Sequence, residues 1–180
     1  MSAPPFTPLA PLAPFDFLAH LEWLVLLRRL HAHGVAFALT GSLALWLHLG
    51  GGDALGEAPV PDCDLFLVPT RDNLQRWAEW LVAHGWTPRV WGEPLRLPVD
   101  LEALRGRYYV RATRGPRVLD GTYEHDTLEL TRLVAEATVL RGVPVVELEV
   151  VLALKRERGS PRDVAQVARV ENWRRARGRH

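Results

Sequence analysis

Hydrophobic positions follow two different patterns along this chain, a helical period and short continuous runs. Over residues 15–33 they recur every three or four positions, the period of an amphipathic helix, and Gly34 follows where such a helix would end. Short apolar runs bounded by turn residues predict strands instead. In chain order, the predicted elements of the first two thirds are helices over 15–33, 43–49 and 71–84 and strands over 35–39, 63–68, 86–91, 95–99, 107–112 and 117–120. This mixture predicts an α/β (α+β) fold with a mixed β-sheet and flanking helices.

The two ends of the chain differ from this central part. Residues 2–14 hold five prolines among small residues, which sustain neither a helix nor a sheet and predict a flexible arm. Beyond residue 125 the predicted elements are hairpin strands over 135–140 and 143–148 and helices over 150–158 and 161–175. We therefore expect an arm at 1–14, a core at 15–125, and a hairpin with a basic helical part at 126–180 that packs on the core as one unit.

Composition narrows the classes of protein that the chain could be. Hydrophobic residues make up 48% and charged residues 24% of the 180 positions, which is typical of a globular domain and excludes a disordered or fibrous chain. Twenty-two basic and 21 acidic residues leave a formal charge of +1, so no field of the whole molecule attracts it to nucleic acid or an anionic membrane. The single cysteine, Cys63, excludes an intramolecular disulfide. No apolar run approaches the roughly 20 residues of a membrane span, so we expect a cytoplasmic protein with no membrane partner.

Two short motifs contain residues that could bind phosphate or a metal ion. Gly41 and Ser42 lie between a predicted strand and a helix, where backbone N–H groups and a hydroxyl are placed to bind phosphate. Asp62 and Asp64 are two positions apart on the next predicted strand, so they share one face, while Cys63 faces the core. Paired carboxylates on one face favour a hard cation such as Mg²⁺. Each motif also has an ordinary interpretation, a helix N-cap and a solvated strand end, but their combination in this order is less ordinary.

The order of these motifs resembles the polymerase-beta-like nucleotidyltransferases, whose signature is a Gly-Ser turn followed by D-x-D on the next strand. More narrowly, residues 145–163 resemble the AbiEii-like and MenT-like enzymes, bacterial nucleotidyltransferases known chiefly as toxins of toxin–antitoxin pairs. Their helix ends in a lysine, here Lys155, and a basic residue and an aspartate follow after a short turn, here ending at Asp163. The resemblance extends over residues 35–170 and implies a nucleotidyltransferase-like sheet with a helical C-terminal part.

This resemblance implies a role for each matched residue. Gly41 and Ser42 would bind the triphosphate of an NTP. The metal, Mg²⁺ or Mn²⁺, would be bound by Asp62 and Asp64. Lys155 would contact the nucleotide, and Asp163 would complete the catalytic site together with it.

The third carboxylate of the superfamily comes from a neighbouring strand. Our candidate is Asp120, which would act as a base or as a metal ligand. Asp100 and Glu102 are competing candidates, and Asp120 with Gly121 could instead form a turn.

Lys155 has support that does not depend on the resemblance. It is the one lysine among 22 basic residues, the other 21 being arginine. A position that keeps lysine in such a chain indicates a need for a compact, rotatable charge, as in a contact with a nucleotide phosphate. The alternative is that one residual lysine is chance.

The expected reaction is metal-dependent transfer of a nucleoside monophosphate from an NTP to an acceptor hydroxyl. The resemblance offers the 3′ end of a tRNA or a protein as the acceptor and a cognate antitoxin as a partner. From residue 152 onward nine basic residues face three acidic ones, which favours RNA. Two alternatives stay open: an antibiotic nucleotidyltransferase, or a weakened nucleotide-binding module. The second follows from a long segment before Asp62 and from Val60 and Pro61, which stand where the family often has a basic residue.

Overall fold

A computed structural model describes residues 15–51 and 62–177 of the chain. The arm expected at 1–14 and most of the long segment before Asp62 lie outside these residues. The helices are α1 (Phe15–Ala32), α2 (Gly41–His48), α3 (Arg71–Ala83), α4 (Leu101–Leu104), α5 (Leu130–Ala135), α6 (Leu148–Arg158) and α7 (Pro161–Arg177). The strands are β1 (Phe37–Thr40), β2 (Asp62–Leu67), β3 (Thr87–Val90), β4 (Glu93–Pro94), β5 (Tyr109–Arg114), β6 (Arg117–Thr122), β7 (Thr138–Leu140) and β8 (Val143–Val145).

The strands of the described residues form one mixed sheet in the order β4-β3-β5-β6-β2-β1-β8-β7. β1 pairs with β8 in parallel, and β2 pairs with β6 in parallel. The other neighbours are antiparallel. The expected α/β fold with a mixed sheet, flanking helices and a helical C-terminal part is therefore confirmed. The hairpin β7–β8 joins the sheet beside β1, and α6 packs against α2.

The half of the sheet formed by β3, β5, β6 and β2 is buried on one face only. Its inward residues pack against α3, where a Cβ atom at Gly121 would lie only 2.6 Å from the ring of Trp77. The outward residues alternate with these and remain exposed or half-exposed, except for Phe66 of β2, which is buried. In register across the four strands they include a row of charged side chains, which we call the polar row: Arg89, Arg111, Asp120 and Asp64.

Residues 95–99 were expected to form a strand, and this prediction is wrong. The observed strand β4 is short and ends at Pro94. Pro98 has no N–H group to donate to a neighbouring strand. The N–H of Val99 instead donates to the Gln75 side chain of α3 at 2.6 Å. The short helices α4 and α5 were not predicted.

A search of the described helices finds none with both the length and the apolar composition needed to span a bilayer.

Candidate active site

The junction of β1 and α2, which we call the elbow, contains the predicted Gly-Ser turn. The helix begins at Gly41, whose φ of +69° lies in the left-handed region that favours glycine. A Cβ atom at this position would lie 2.1 Å from Oδ2 of Asp64. Thr40 and Asp64 are direct partners in the antiparallel pair of β1 and β2. Glycine is therefore required twice, for its backbone conformation and for the close approach of the Asp64 carboxylate.

Three predicted carboxylates share the open face of the sheet. Asp62 and Asp64 are two positions apart on β2, and Asp120 is the direct partner of Asp64 in the parallel pair with β6. Asp62 is exposed, whereas the other two are half-buried. Cys63 is fully buried on the opposite face, as predicted, and burial and the nearby carboxylates raise the pKa of its thiol well above the usual value.

The alternatives considered for the third carboxylate lie elsewhere. Asp100 caps α4 by accepting a hydrogen bond from the N–H of Glu102 at 3.0 Å. Glu102 in turn forms an ion pair with Arg105. Asp120 lies inside β6, so the interpretation of Asp120 and Gly121 as a turn is wrong.

The Asp64 carboxylate carries a raised proton affinity. Burial and the negative charge of Asp120 raise its pKa from 3.8 to about 6, and the positive charges of Arg158 and Lys155 oppose this shift. A raised carboxylate pKa means that the ionised form lacks sufficient positive charge nearby. This part of the site therefore favours a cation.

Asp120 forms an ion pair that the sequence did not predict. Arg111 of β5 is its direct cross-strand partner. The Nε atom of Arg111 donates to Oδ1 of Asp120 at 2.9 Å, and its Nη2 atom donates to Oδ2 at 2.7 Å. The hydrogen bond with Asp120 is the chief cause of an increase in the pKa of Arg111. Both oxygens of this carboxylate are therefore engaged by one guanidinium group.

A buried polar cluster lies behind the elbow and consists of Ser42, Lys155, Asp163 and Gln166. The Ser42 Oγ atom turns inward and lies 3.1 Å from Nε2 and 3.2 Å from Oε1 of Gln166. The Nζ atom of Lys155 lies 3.5 Å from the same oxygen. Since α2 provides Ser42 while α6 and α7 provide its partners, the cluster joins the C-terminal helices to the elbow.

Lys155 and Asp163 form the ion pair of this cluster. Lys155 is only 2% exposed, and its Nζ atom donates to Oδ1 of Asp163 at 2.8 Å. Asp163 also accepts a hydrogen bond from Ser160 at 2.6 Å and pairs with Arg158 at 2.9 Å. Burial lowers the pKa of Lys155, and Asp163 opposes that shift. Burial alone would raise the pKa of Asp163, but hydrogen bonds from Lys155 and Ser160 lower it overall. The pair is therefore charged, and Asp163 holds Lys155 in place.

A cleft of about 390 Å³ opens at the elbow, within the size range of ligand pockets. Of the predicted site residues, Gly41 and Asp64 line it, whereas the side chains of Ser42, Lys155 and Asp163 are buried next to it. Sequence analysis missed several lining residues. Arg158 could have been found, since it follows Lys155 by three positions on one helix, but nothing in the sequence pointed to His125. The cleft is lined by Thr40, Gly41, Asp64, Phe66, Thr122, His125, Leu154, Glu157 and Arg158.

The family resemblance implies a divalent metal, which the carboxylates of the site would have to bind. Within residues 15–51 and 62–177, no three or more His, Cys, Asp or Glu side chains converge as an ion-binding group. Mg²⁺ in nucleotide sites is usually held by one or two carboxylates together with substrate phosphates. Asp62 and Asp64 have their carboxylates on one face, and the charge of Asp64 is undercompensated, so the pair fits an ion of this kind.

Comparison with known proteins supports the fold. The sequence matches no described protein family and no curated protein. In structure, the chain is similar to the antibiotic-resistance factor ANT(2'')-Ia, an aminoglycoside nucleotidyltransferase, whose solution structure has been determined. The TM-score is 0.51 at 18% sequence identity, and the match covers 89% of this chain and 94% of that chain. The chain therefore has a nucleotidyltransferase-like fold, in agreement with the broader resemblance.

Proposed function

We propose that this chain is a nucleotidyltransferase that moves a nucleoside monophosphate from an NTP to an acceptor hydroxyl and releases pyrophosphate. The observation that carries the proposal is the contact of the Gly41 elbow with the Asp64 carboxylate. It sets the start of a helix, where N–H groups bind phosphate, directly beside an acid suited to a divalent cation. The nucleotidyltransferase-like fold supports the same reaction.

Each group has a role that follows from its position. The N–H groups at the start of α2, including that of Ser42, bind the outer phosphates, while the Ser42 hydroxyl positions Lys155. The charges of Lys155 behind the elbow and of Arg158 in the cleft wall attract the triphosphate. Asp62 and Asp64 hold Mg²⁺ or Mn²⁺, which when bound neutralises phosphate charge and activates the acceptor hydroxyl.

The chemical step exchanges one phosphorus–oxygen bond for another. The acceptor oxygen forms a bond to the α-phosphorus of the NTP, and the bond from that phosphorus to pyrophosphate breaks. The hydroxyl proton leaves toward the carboxylate end of the cleft. Before a metal binds, the pKa of Asp64 is about 6, so its carboxylate is ionised above this pH.

The open sheet face beside the site favours an anionic acceptor, such as the 3′ end of a tRNA. Arg89 and Arg111 lie in line with Asp120 on this face, and both are exposed. The exposed ring of Tyr109 lies on the same face, with the Cζ atom of Arg111 5.9 Å from its centroid. Arginines bind phosphates, and aromatic rings stack on unpaired bases.

An aminoglycoside antibiotic is the second candidate acceptor, because the chain resembles ANT(2'')-Ia in fold. Aminoglycosides carry several positive charges, which Arg89 opposes while the carboxylates of the same face attract them. The residues from 145 to 163 that are similar to the AbiEii-like and MenT-like enzymes favour a toxin that acts on tRNA or a protein and has a cognate antitoxin as its partner.

The test is incubation with α-labelled NTPs and Mg²⁺, with total tRNA or with kanamycin, while label transfer and pyrophosphate release are measured. We expect transfer to tRNA by the wild type and its loss in Asp62→Asn and Asp64→Asn. The matched control is Asp72→Asn, an exposed acid on α3 at the other face of the sheet. Label transfer that survives both substitutions would show that Asp62 and Asp64 do not form the active site. Transfer to kanamycin alone would establish the antibiotic function, and NTP binding without pyrophosphate release would establish a binding module.

A further inference from the structure

In the polar row, the positively charged side chain of Arg111 lies beside the carboxylates of the site. Arg111 lies directly across from Asp120, which in turn lies directly across from Asp64. Neighbouring strands are about 4.8 Å apart, so the guanidinium group reaches the acidic face without any change in the backbone. The two parallel N–H···O contacts hold the guanidinium and the carboxylate in one geometry.

The side chain of Tyr109 and the charge of Asp62 also act on Arg111. Tyr109 is two residues earlier on the same strand and presents its ring on the same face, 5.9 Å from the Cζ atom of Arg111. The negative charge of Asp62 also acts on the guanidinium group. Arg111 therefore pairs with one carboxylate beside an aromatic ring, with a second negative charge nearby, which favours its positive charge.

The other two acids of the face differ from Asp120. In the part of the chain that the structure describes, Asp62 and Asp64 take part in no ion pair within 4.0 Å, whereas Asp120 is engaged at both oxygens. Asp120 is also the more sheltered member of its pair, with 16% of its side chain exposed against 54% for Arg111. The oxygens open to an added cation are those of Asp62 and Asp64.

We propose that Asp120 is not a metal ligand, and that Arg111 supplies through it the positive charge that a second divalent ion would otherwise bring. The site then holds one divalent ion, on Asp62 and Asp64, and Arg111 is a positioning residue that fixes Asp120. This inference rests on the proposed function and corrects the metal set that the family resemblance implies.

The test counts bound Mn²⁺ directly, without nucleotide or turnover. The free ion is measured by electron paramagnetic resonance during titration of the full chain. We expect one Mn²⁺ per wild-type chain and a loss of affinity of about tenfold or more in Asp64→Asn, by analogy with the effect of disturbing a metal site. Asp120→Asn lowers the affinity by less than Asp64→Asn does, because it removes a nearby negative charge but no ligand. The matched control Asp72→Asn keeps the wild-type affinity. Arg111→Gln, which frees Asp120, binds Mn²⁺ more tightly or binds a second ion.

Four results would overturn the inference. These are a loss in Asp120→Asn as large as that in Asp64→Asn, two ions on the wild type, no ion on the wild type, and no gain in Arg111→Gln. Circular dichroism identifies any variant that fails to fold, and Asp120→Asn then decides by itself. If the ion count is as expected but no NTP releases pyrophosphate, the proposed function fails while the role of Arg111 stands.

Discussion

Replacing Gly41 with alanine tests the elbow sharply, because the substitution adds one methyl group at a known place. The added Cβ atom would lie 2.1 Å from Oδ2, 3.0 Å from Cγ and 3.2 Å from Cβ of Asp64. Rotation of the carboxylate does not relieve all three contacts, so the Asp64 side chain has to move as a whole. The backbone contributes separately, since a φ of +69° costs an alanine roughly 1 kcal/mol.

Gly106→Ala is the matched control. Its φ is +71°, and a Cβ atom there would meet no atom within 4 Å. We expect both variants to lose roughly 1 kcal/mol of unfolding free energy through the backbone. Gly41→Ala loses a further 1–3 kcal/mol or so through overpacking. Its nucleotidyl transfer falls about 100-fold, because a displacement of about 1 Å in a site has that effect.

Two measurements check this prediction. Urea unfolding gives the difference in stability between the variants, and label transfer from the NTP gives the rate. Equal stability losses in the two variants, together with wild-type transfer in Gly41→Ala, would refute the contact between the elbow and Asp64.

Three further predictions follow from the buried and crowded positions. Lys155→Met leaves Asp163 without its buried partner and lowers the free energy of unfolding by about 3 kcal/mol; a urea midpoint equal to that of the wild type would contradict this. The pKa of Asp64 is raised from 3.8 to about 6, so the folded protein binds the extra proton between these values and its stability falls as pH rises through this window. Asp64→Asn is then more stable than the wild type above pH 6, by about 3 kcal/mol, and thermal unfolding at several pH values would show no such difference if the carboxylate were well compensated. Gly121→Ala brings a Cβ atom to 2.6 Å from the Trp77 ring and 2.7 Å from a methyl group of Leu67 and lowers stability by about 1–3 kcal/mol, which a differential scan measures; an unchanged melting temperature would show that α3 can shift.

Hydrophobic periodicity predicted the long elements and failed on the short ones. Helix α1 has 18 residues and α3 has 13, enough turns for an apolar face to repeat. Helices α4 and α5, with four and six residues, complete fewer than two turns and leave no period to detect. They are set instead by the capping side chains of Asp100 and Glu129.

The residues of the candidate site also divide into those that a local sequence pattern predicts and those that only the tertiary structure reveals. Gly41, Asp62 and Asp64 could be identified because their spacing is local and their residue types carry the chemistry. Arg111 could not, since its contact with Asp120 depends on the register of β5 and β6, which the sequence does not show. The inward rotation of the Ser42 hydroxyl was also missed. The roles assigned to all of these residues remain predictions until transfer is measured.

The buried polar cluster determines when, during synthesis of the chain, the elbow is complete. Ser42 contacts Lys155 and Gln166, which follow it by 113 and 124 positions. A ribosome-bound chain that has emerged only as far as β8 already carries Asp62, Asp64 and Asp120, yet its elbow lacks the groups that hold it from behind. The elbow is therefore complete only after α6 and α7 have been synthesised.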